Sequence, residues 1–61
     1  RRLEDLRIPA GFDYSRAPGL SSEARYKLQK IRPLSLGQAA RISGVRSSDL
    51  AVLLILLRKG G

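Results

Sequence analysis

The pattern of apolar and polar positions predicts three helices joined by short loops, over residues 21–32, 35–43 and 47–59. Within each segment, apolar side chains recur three or four positions apart, which is the spacing of one face of a helix. The β-branched residues are few and scattered, so no strand is expected. The pattern therefore predicts a small all-α domain of three principal helices, whose last two form a helix-turn-helix-like pair around Gly44.

Local signals indicate where these helices begin and end. Ser21 and Ser35 occupy N-cap positions, and Gln38 follows Ser35 at the spacing of a capping box. Pro33 is expected to stop the first helix, and Gly44 is typical of the left-handed residue that follows a helix. The rest of the N-terminal part is predicted to be the end of a preceding helix, at residues 1–9, and a loop, at residues 10–20.

The last predicted helix contains an unbroken apolar run, LAVLLILL, at residues 50–57. One face of it carries the leucines Leu50, Leu53, Leu54 and Leu57. Val52, Ile55 and Leu56 lie on nearly the opposite face, and a helix that is apolar all round is normally covered on both sides. The residues alone leave three explanations open for this second face. It meets the core of a larger parent protein, another copy of the chain, or a different protein that docks there.

Composition narrows the classes of protein and of partner. The chain has 61 residues, no Cys, no His and no Met, so we expect one domain that belongs to a larger protein. Its 12 Lys and Arg residues against 5 Asp and Glu residues give a net charge of +7. That balance suggests a polyanionic partner such as nucleic acid, although a solvated surface of a basic protein explains it equally well.

No catalytic constellation is visible in the sequence. The acidic residues are scattered, a nucleophile–base pair would need the missing Cys or His, and the serines fit cap and turn positions. No glycine-rich phosphate loop is present. We therefore expect this part of the protein not to be an enzyme by itself, with no catalytic residue, no cofactor site and no metal site. The apolar run rises only about 12 Å against a hydrocarbon core of about 30 Å, so no membrane association is expected and the cytoplasm is the default location.

A stand-alone nucleic-acid-binding helix-turn-helix is the alternative interpretation. Ala40, Gly44 and Leu50 have the spacing of that motif, and the basic charge agrees with it. A recognition helix reads base edges mainly through polar residues in its N-terminal half. Here that half offers two serines and Asp49, whose carboxylate would repel phosphates.

Three segments of the sequence resemble those of a known family. PGLSSEARYKL stands at residues 18–28, and RPLSLGQAARISGV stands at residues 32–45, followed by an apolar helix that ends in Arg-Lys-Gly. An IP pair and an FDY triplet precede them at residues 8–14. In this order and spacing, the strings resemble the C-terminal domain of the MnmG (GidA) family over about residues 8–60. One departure is Arg46-Ser47, where the family usually has Thr-Pro.

The resemblance implies a parent enzyme that modifies tRNA. Such an enzyme installs a carboxymethylaminomethyl group at carbon 5 of the wobble uridine, together with the GTPase MnmE. It is a cytoplasmic homodimer that uses FAD, NADH and a folate-derived one-carbon unit, and it forms a heterotetramer with MnmE. The FAD and NADH sites would lie in the dinucleotide-binding region outside this chain, while the C-terminal domain would dock MnmE and contact tRNA.

Two sets of candidate residues follow from the charges, the apolar faces and the resemblance together. The candidates for tRNA contact are Arg25, Lys27, Lys30, Arg32, Gln38, Arg41 and Arg46. The candidates for docking MnmE are Val52, Ile55, Leu56 and Lys59.

Overall fold

Three α-helices pack around one core in the computed structural model, which describes residues 5–60. They are α1 (Ser22–Ile31), α2 (Leu36–Ala40) and α3 (Ser47–Gly60), and a 3₁₀ helix at Tyr14–Arg16 precedes them. No strand of a sheet forms in that part of the chain. The all-α fold predicted from the sequence is confirmed, with α2 and α3 packed against each other as the expected pair.

In the segment before the loop, Asp5 has 3₁₀ conformation, but residues 6–9 are not helical. Residues 6–9 run alongside residues 34–36, and Arg7 forms an isolated antiparallel bridge with Ser35. Two backbone hydrogen bonds of 2.9 Å hold the bridge, from the Ile8 N–H to the Leu34 carbonyl and from the Leu36 N–H to the Leu6 carbonyl. The helix end predicted at residues 1–9 therefore does not extend over residues 6–9. Its residues 1–4 lie outside the described range.

Helix α1 begins at its predicted cap and ends one residue early. The Ser21 hydroxyl oxygen accepts a 3.1 Å hydrogen bond from the Ala24 N–H. At the other end Arg32 adopts the left-handed conformation, with φ 55°, and its N–H bonds to the Leu28 carbonyl at 2.9 Å. Ala24 and Leu28 are fully buried, but Ile31 is 52% exposed because the helix ends there. The apolar stripe of α1 is therefore shorter than the sequence spacing suggested.

Helix α2 is a single short turn rather than the predicted nine residues. The Ser35 hydroxyl oxygen accepts from the Gln38 N–H at 3.2 Å, as the capping pattern predicted. The Gln38 side-chain oxygen accepts from the Leu34 N–H at 2.9 Å, one residue earlier than an ordinary capping box would use. After Ala40 the chain turns, and Gly44 has φ +98°, so its predicted left-handed role is confirmed.

The core lies where α1, α2 and α3 meet the 10–20 loop. It consists of Ile8, Tyr14, Ala17, Leu20, Ala24, Leu28, Leu36, Ala39 and Leu53. Phe12 packs edge-on against Tyr14 with ring centroids 5.0 Å apart, so both rings hold the loop in place. Gly19, at φ +101°, lets the loop approach α3 so closely that a Cβ there would lie 3.2 Å from Val52 Cγ2. The loop therefore covers one side of α3.

Candidate nucleic-acid and partner interfaces

Arg25 and Arg32 both bond their guanidinium groups to carbonyls of the loop, Arg25 from a half-buried position and Arg32 from an exposed one. Arg25 Nη1 donates to the Tyr14 carbonyl at 2.9 Å and to the Ala17 carbonyl at 3.3 Å, and its Nη2 donates to the Leu20 carbonyl at 3.3 Å. These three carbonyls belong to the loop that precedes α1. Arg25 was predicted as a tRNA contact, but in the structure its donors hold the loop against the helix.

Arg32 makes a similar set of internal contacts at the other end of α1. Its Nη2 donates to the carbonyls of Ala10 and Phe12, the latter at 3.2 Å. Its guanidinium carbon lies 5.3 Å from the centre of the Tyr14 ring, within the range of a cation–π contact. The buried Tyr14 hydroxyl has no hydrogen-bond partner, and burial raises the pKa of Tyr14 despite this nearby positive charge. Like Arg25, Arg32 thus bonds to carbonyls of the loop, although its side chain is exposed.

The two lysines of α1 remain at the surface. Lys27 Nζ donates to the Ser43 carbonyl at 3.1 Å, which places it beside the turn between α2 and α3. Lys30 Nζ lies 5.7 Å from the centre of the Tyr26 ring, and that ring is 59% exposed. Of the four basic candidates in this part of the chain, Lys30 and Arg32 are exposed, while Arg25 and Lys27 are half-buried and bonded to carbonyls of the domain.

The remaining tRNA candidates lie on α2 and the turn after it. Gln38, Arg41 and Arg46 are all exposed. Gln38 also has the capping contact described above. Arg46 directly precedes α3, and its charge is one of the causes that hold down the pKa of Asp49. Arg41 and Arg46 therefore flank the turn whose Ser43 carbonyl accepts from Lys27.

Asp49 joins the first turns of two helices. One carboxylate oxygen accepts from the Ser21 N–H at 2.9 Å, and the other accepts from the Arg46 N–H at 2.9 Å and from the Ser21 hydroxyl at 3.3 Å. Burial acts to raise the pKa of this carboxyl, but the hydrogen bonds outweigh it and hold the pKa below its ordinary value of 3.8. From the sequence, Asp49 was predicted only as an acid suited to the start of a helix. Its contact with Ser21, 28 residues away, could not be predicted from the neighbouring residues.

The same contact removes Asp49 from the helix-turn-helix interpretation. Its side chain is 1% exposed and bonded inside the domain, so it would not face DNA. The first turn of α3 then presents Ser47 and Ser48 as its exposed polar side chains, and α2 is only five residues long. A recognition helix with long polar readers is absent from α3 up to Arg58.

The outer face of α3 is only partly open. Ile55 is 62% exposed, and Ala51, Arg58 and Lys59 around it are exposed as well. Val52 and Leu56 are half-buried and pack against the core, Val52 opposite Gly19. Among the docking candidates, Ile55 and Lys59 are therefore the two with substantial free surface.

Between residues 5 and 60, no group of three His, Cys, Asp or Glu side chains is placed to hold a metal ion. In the same range no helix has the length and apolar character that crossing a membrane requires.

Comparison with known proteins identifies the family. A family model described as "tRNA modifying enzyme MnmG/GidA C-terminal helical bundle" matches residues 1–61. The chain is 57% identical over 60 residues to the tRNA uridine 5-carboxymethylaminomethyl modification enzyme MnmG of Thermus thermophilus, with 98% of this chain and 10% of that protein covered. It is 57% identical over 56 residues to the enzyme of the same name from Flavobacterium psychrophilum, covering 92% of this chain and 9% of that protein.

A solved structure has the same fold. The match to Aquifex aeolicus GidA in its form II crystal has a TM-score of 0.87 at 47% sequence identity, over 90% of this chain and 9% of that one. The chain thus spans about a tenth of the length of the relatives it matches. On the family model, the relatives and the structure together, the chain belongs to the MnmG/GidA family of tRNA-modifying enzymes and corresponds to its C-terminal helical bundle.

Proposed function

We propose that this domain docks its parent enzyme onto the GTPase MnmE and contributes basic side chains to the tRNA backbone. The parent would be the flavin- and NADH-dependent enzyme that installs the carboxymethylaminomethyl group on the wobble uridine. Its cofactors and catalytic residues would belong to the remaining nine tenths or so of a protein the length of its relatives.

The exposure of Ile55 is the observation that carries the docking proposal. Ile55 is a large apolar side chain near the middle of α3 that is 62% exposed. Covering it with a partner would stabilise the complex, because apolar surface would be removed from water. Ala51 lies one turn before it, and Arg58 and Lys59 lie one turn after it, all of them exposed. An amphipathic helix face laid into an apolar groove is a common recognition mode, and acidic groups beside that groove would complement the two cations.

The tRNA proposal rests on the position of the surface charges. Lys27 and Lys30 lie on the outer side of α1, and Lys27 touches the turn that carries Arg41 and Arg46. Phosphate contacts need cations that can approach the backbone, and each neutralised phosphate makes binding more sensitive to salt. Arg25 is not part of this proposal because its half-buried guanidinium bonds to three of the domain's own carbonyls. Arg32 also bonds to loop carbonyls, but it is exposed and stays a candidate.

The docking proposal is tested by placing a charge on the face around Ile55. We expect Ile55→Glu to reduce the affinity of the chain for MnmE at least tenfold, because the carboxylate would lose its water in an apolar groove. Binding is measured by isothermal titration calorimetry with purified MnmE. The matched control is Ile31→Glu, at a side chain of similar exposure, 52%, near the end of α1.

Two results would contradict the docking surface. Unchanged MnmE affinity in Ile55→Glu would show that the face around Ile55 does not bind MnmE. Equal losses in Ile55→Glu and Ile31→Glu would show a general effect of added negative charge. Leu56→Glu is a weaker test than Ile55→Glu because Leu56 packs against the core, so its loss of binding could follow from unfolding.

A further inference from the structure

Only one of the three aromatic side chains of this protein is exposed. Phe12 and Tyr14 pack against each other and hold the loop, and Tyr14 is also covered by the Arg32 guanidinium. Tyr26 instead stands on the outer side of α1 with 59% of its surface exposed. Its ring takes no part in the core.

One cation lies over this exposed ring, since Lys30 Nζ is 5.7 Å from the ring centre. At about 100° per residue, Tyr26, Lys27 and Lys30 fall within about a third of the circumference of α1. Lys27 lies towards the α2–α3 turn, where its Nζ donates to the Ser43 carbonyl at 3.1 Å. The acid of this surface, Glu23, lies against the α2–α3 turn, where a Cβ on Gly44 would meet its carboxylate at 2.7 Å.

We propose that Tyr26, with Lys27 and Lys30, is a stacking site for an unpaired nucleobase of RNA. Proteins bind single strands with an exposed aromatic ring on a basic surface, since the ring stacks on a base and the cations bind the adjoining phosphates. The inference rests on the proposed tRNA contact and adds to it a preference for an unstacked nucleotide over paired RNA. Bases inside a duplex are already stacked and cannot present a face to the ring.

Charge favours RNA over a protein as the occupant of this surface. The chain carries a net charge of +7, and the ring has two lysines within one helical turn. A protein-docking aromatic would more often be surrounded by apolar neighbours, as at the centre of an interface. The apolar face of this domain lies elsewhere, around Ile55 on α3.

The test compares the affinities of a tRNA transcript and of a fully paired RNA duplex for the chain and its variants. We expect Tyr26→Ala to weaken tRNA binding about tenfold, the usual effect of losing one stacked base, with duplex affinity changed less than twofold. Tyr26→Phe should bind as the wild type does, because stacking needs the ring and not the hydroxyl. Ile31→Ala, a side chain of similar exposure on the same helix, serves as the matched control.

The outcomes separate this inference from the proposed function. If the wild type binds tRNA but Tyr26→Ala binds equally well, or loses duplex and tRNA affinity alike, the stacking site is wrong and the tRNA contact stands. If the wild type binds no tRNA, the tRNA contact itself fails and the stacking site with it. Circular dichroism checks folding of each variant. The same substitutions in Thermus thermophilus MnmG, with this chain in place of its matching residues, repeat the test within a full-length enzyme.

Discussion

At the scale of single residues, the formal charge of the domain overstates the charge that a nucleic acid would meet. Arg25 and Lys27 are two positions apart and look equivalent in the sequence. In the structure Arg25 donates to three loop carbonyls, while Lys27 and Lys30 remain on the outer side of α1. A guanidinium has five donors in a planar fork and can hold several carbonyls at once, which an ammonium at the end of a flexible chain does less well.

This division of roles gives opposite expectations for two substitutions. Arg25→Lys should lower the free energy of unfolding by about 1–3 kcal/mol, because buried carbonyls lose charged donors. Its tRNA affinity should stay within twofold of the wild type once the protein is folded. Lys30→Gln should leave stability within about 0.5 kcal/mol and reduce the salt dependence of tRNA binding by about one phosphate contact.

Urea denaturation followed by circular dichroism measures the first quantity, and titration of tRNA binding across salt concentrations measures the second. The assignment of Arg25 to the loop would be wrong if Arg25→Lys kept full stability and lost tRNA affinity. Sequence reasoning placed both residues among the tRNA contacts. The difference lies in which loop carbonyls come within reach, and that is decided only when the loop packs.

At the scale of elements, the α2–α3 turn is the most tightly constrained part of the domain. Gly44 adopts φ +98°, and a Cβ there would lie within 3.0 Å of three atoms of the Glu23 side chain. The sequence predicted the left-handed conformation, since glycine after a short helix is typical of it. It predicted the end of α2 three residues too late, because helical apolar spacing continues to Ile42 while the chain leaves the helix after Ala40.

Gly44→Ala should therefore lower the free energy of unfolding by about 1–2 kcal/mol, the cost of left-handed backbone for a residue with a Cβ. Glu23 is flexible enough to move aside. Removing it in the double variant Glu23→Ala/Gly44→Ala should therefore restore less than half of the loss. Gly11→Ala is the matched control, because a Cβ on Gly11 has nothing within 4 Å.

Urea midpoints of five proteins decide between the two causes: the wild type, Gly44→Ala, Glu23→Ala, the double variant and Gly11→Ala. A double variant as stable as Glu23→Ala alone would mean that the clash with Glu23, and not the backbone conformation, makes glycine necessary at this turn. Unchanged stability in Gly44→Ala would contradict both.

At the scale of the whole molecule, one buried carboxylate connects helices that are distant in sequence. Asp49 accepts from Ser21 at the start of α1 and from the Arg46 N–H at the start of α3. The fold class, the caps and the start of α3 could be predicted, since each depends on neighbours within a few residues. The Asp49–Ser21 contact, the inward turn of Arg25 and the partial cover of Val52 could not, because each depends on how separate segments pack.

Acid should weaken the domain through Asp49. Its pKa is lower in the folded state than its ordinary value of 3.8, so the stabilisation is complete above that value and is lost as pH falls through the folded pKa. At pH 7 we expect Asp49→Asn to lower the free energy of unfolding by about 1–3 kcal/mol, and the difference from the wild type should shrink towards pH 2. Chemical denaturation at pH 2, 3, 5 and 7 measures it.

Ser48→Ala changes an exposed side chain in the same helical turn, and its effect on stability should not depend on pH in this way. The lowered pKa of Asp13, which comes first from the Ser15 hydroxyl, acts equally in the wild type and in Asp49→Asn and cancels in the comparison. A difference between wild type and Asp49→Asn that stayed constant across this pH range would contradict the assignment.

The Asp49–Ser21 contact also has a consequence for the order in which the domain assembles. Its two residues are separated by 28 positions, so closing that loop costs roughly 3 kcal/mol of chain entropy plus a constant. The caps at Ser21 and Ser35 each bond to a residue three positions away and can form while the chain is still open. The Ser21 N–H, in contrast, gains its partner only when α3 arrives. Synthesis from the N-terminus therefore leaves the start of α1 incomplete until the third helix has been made.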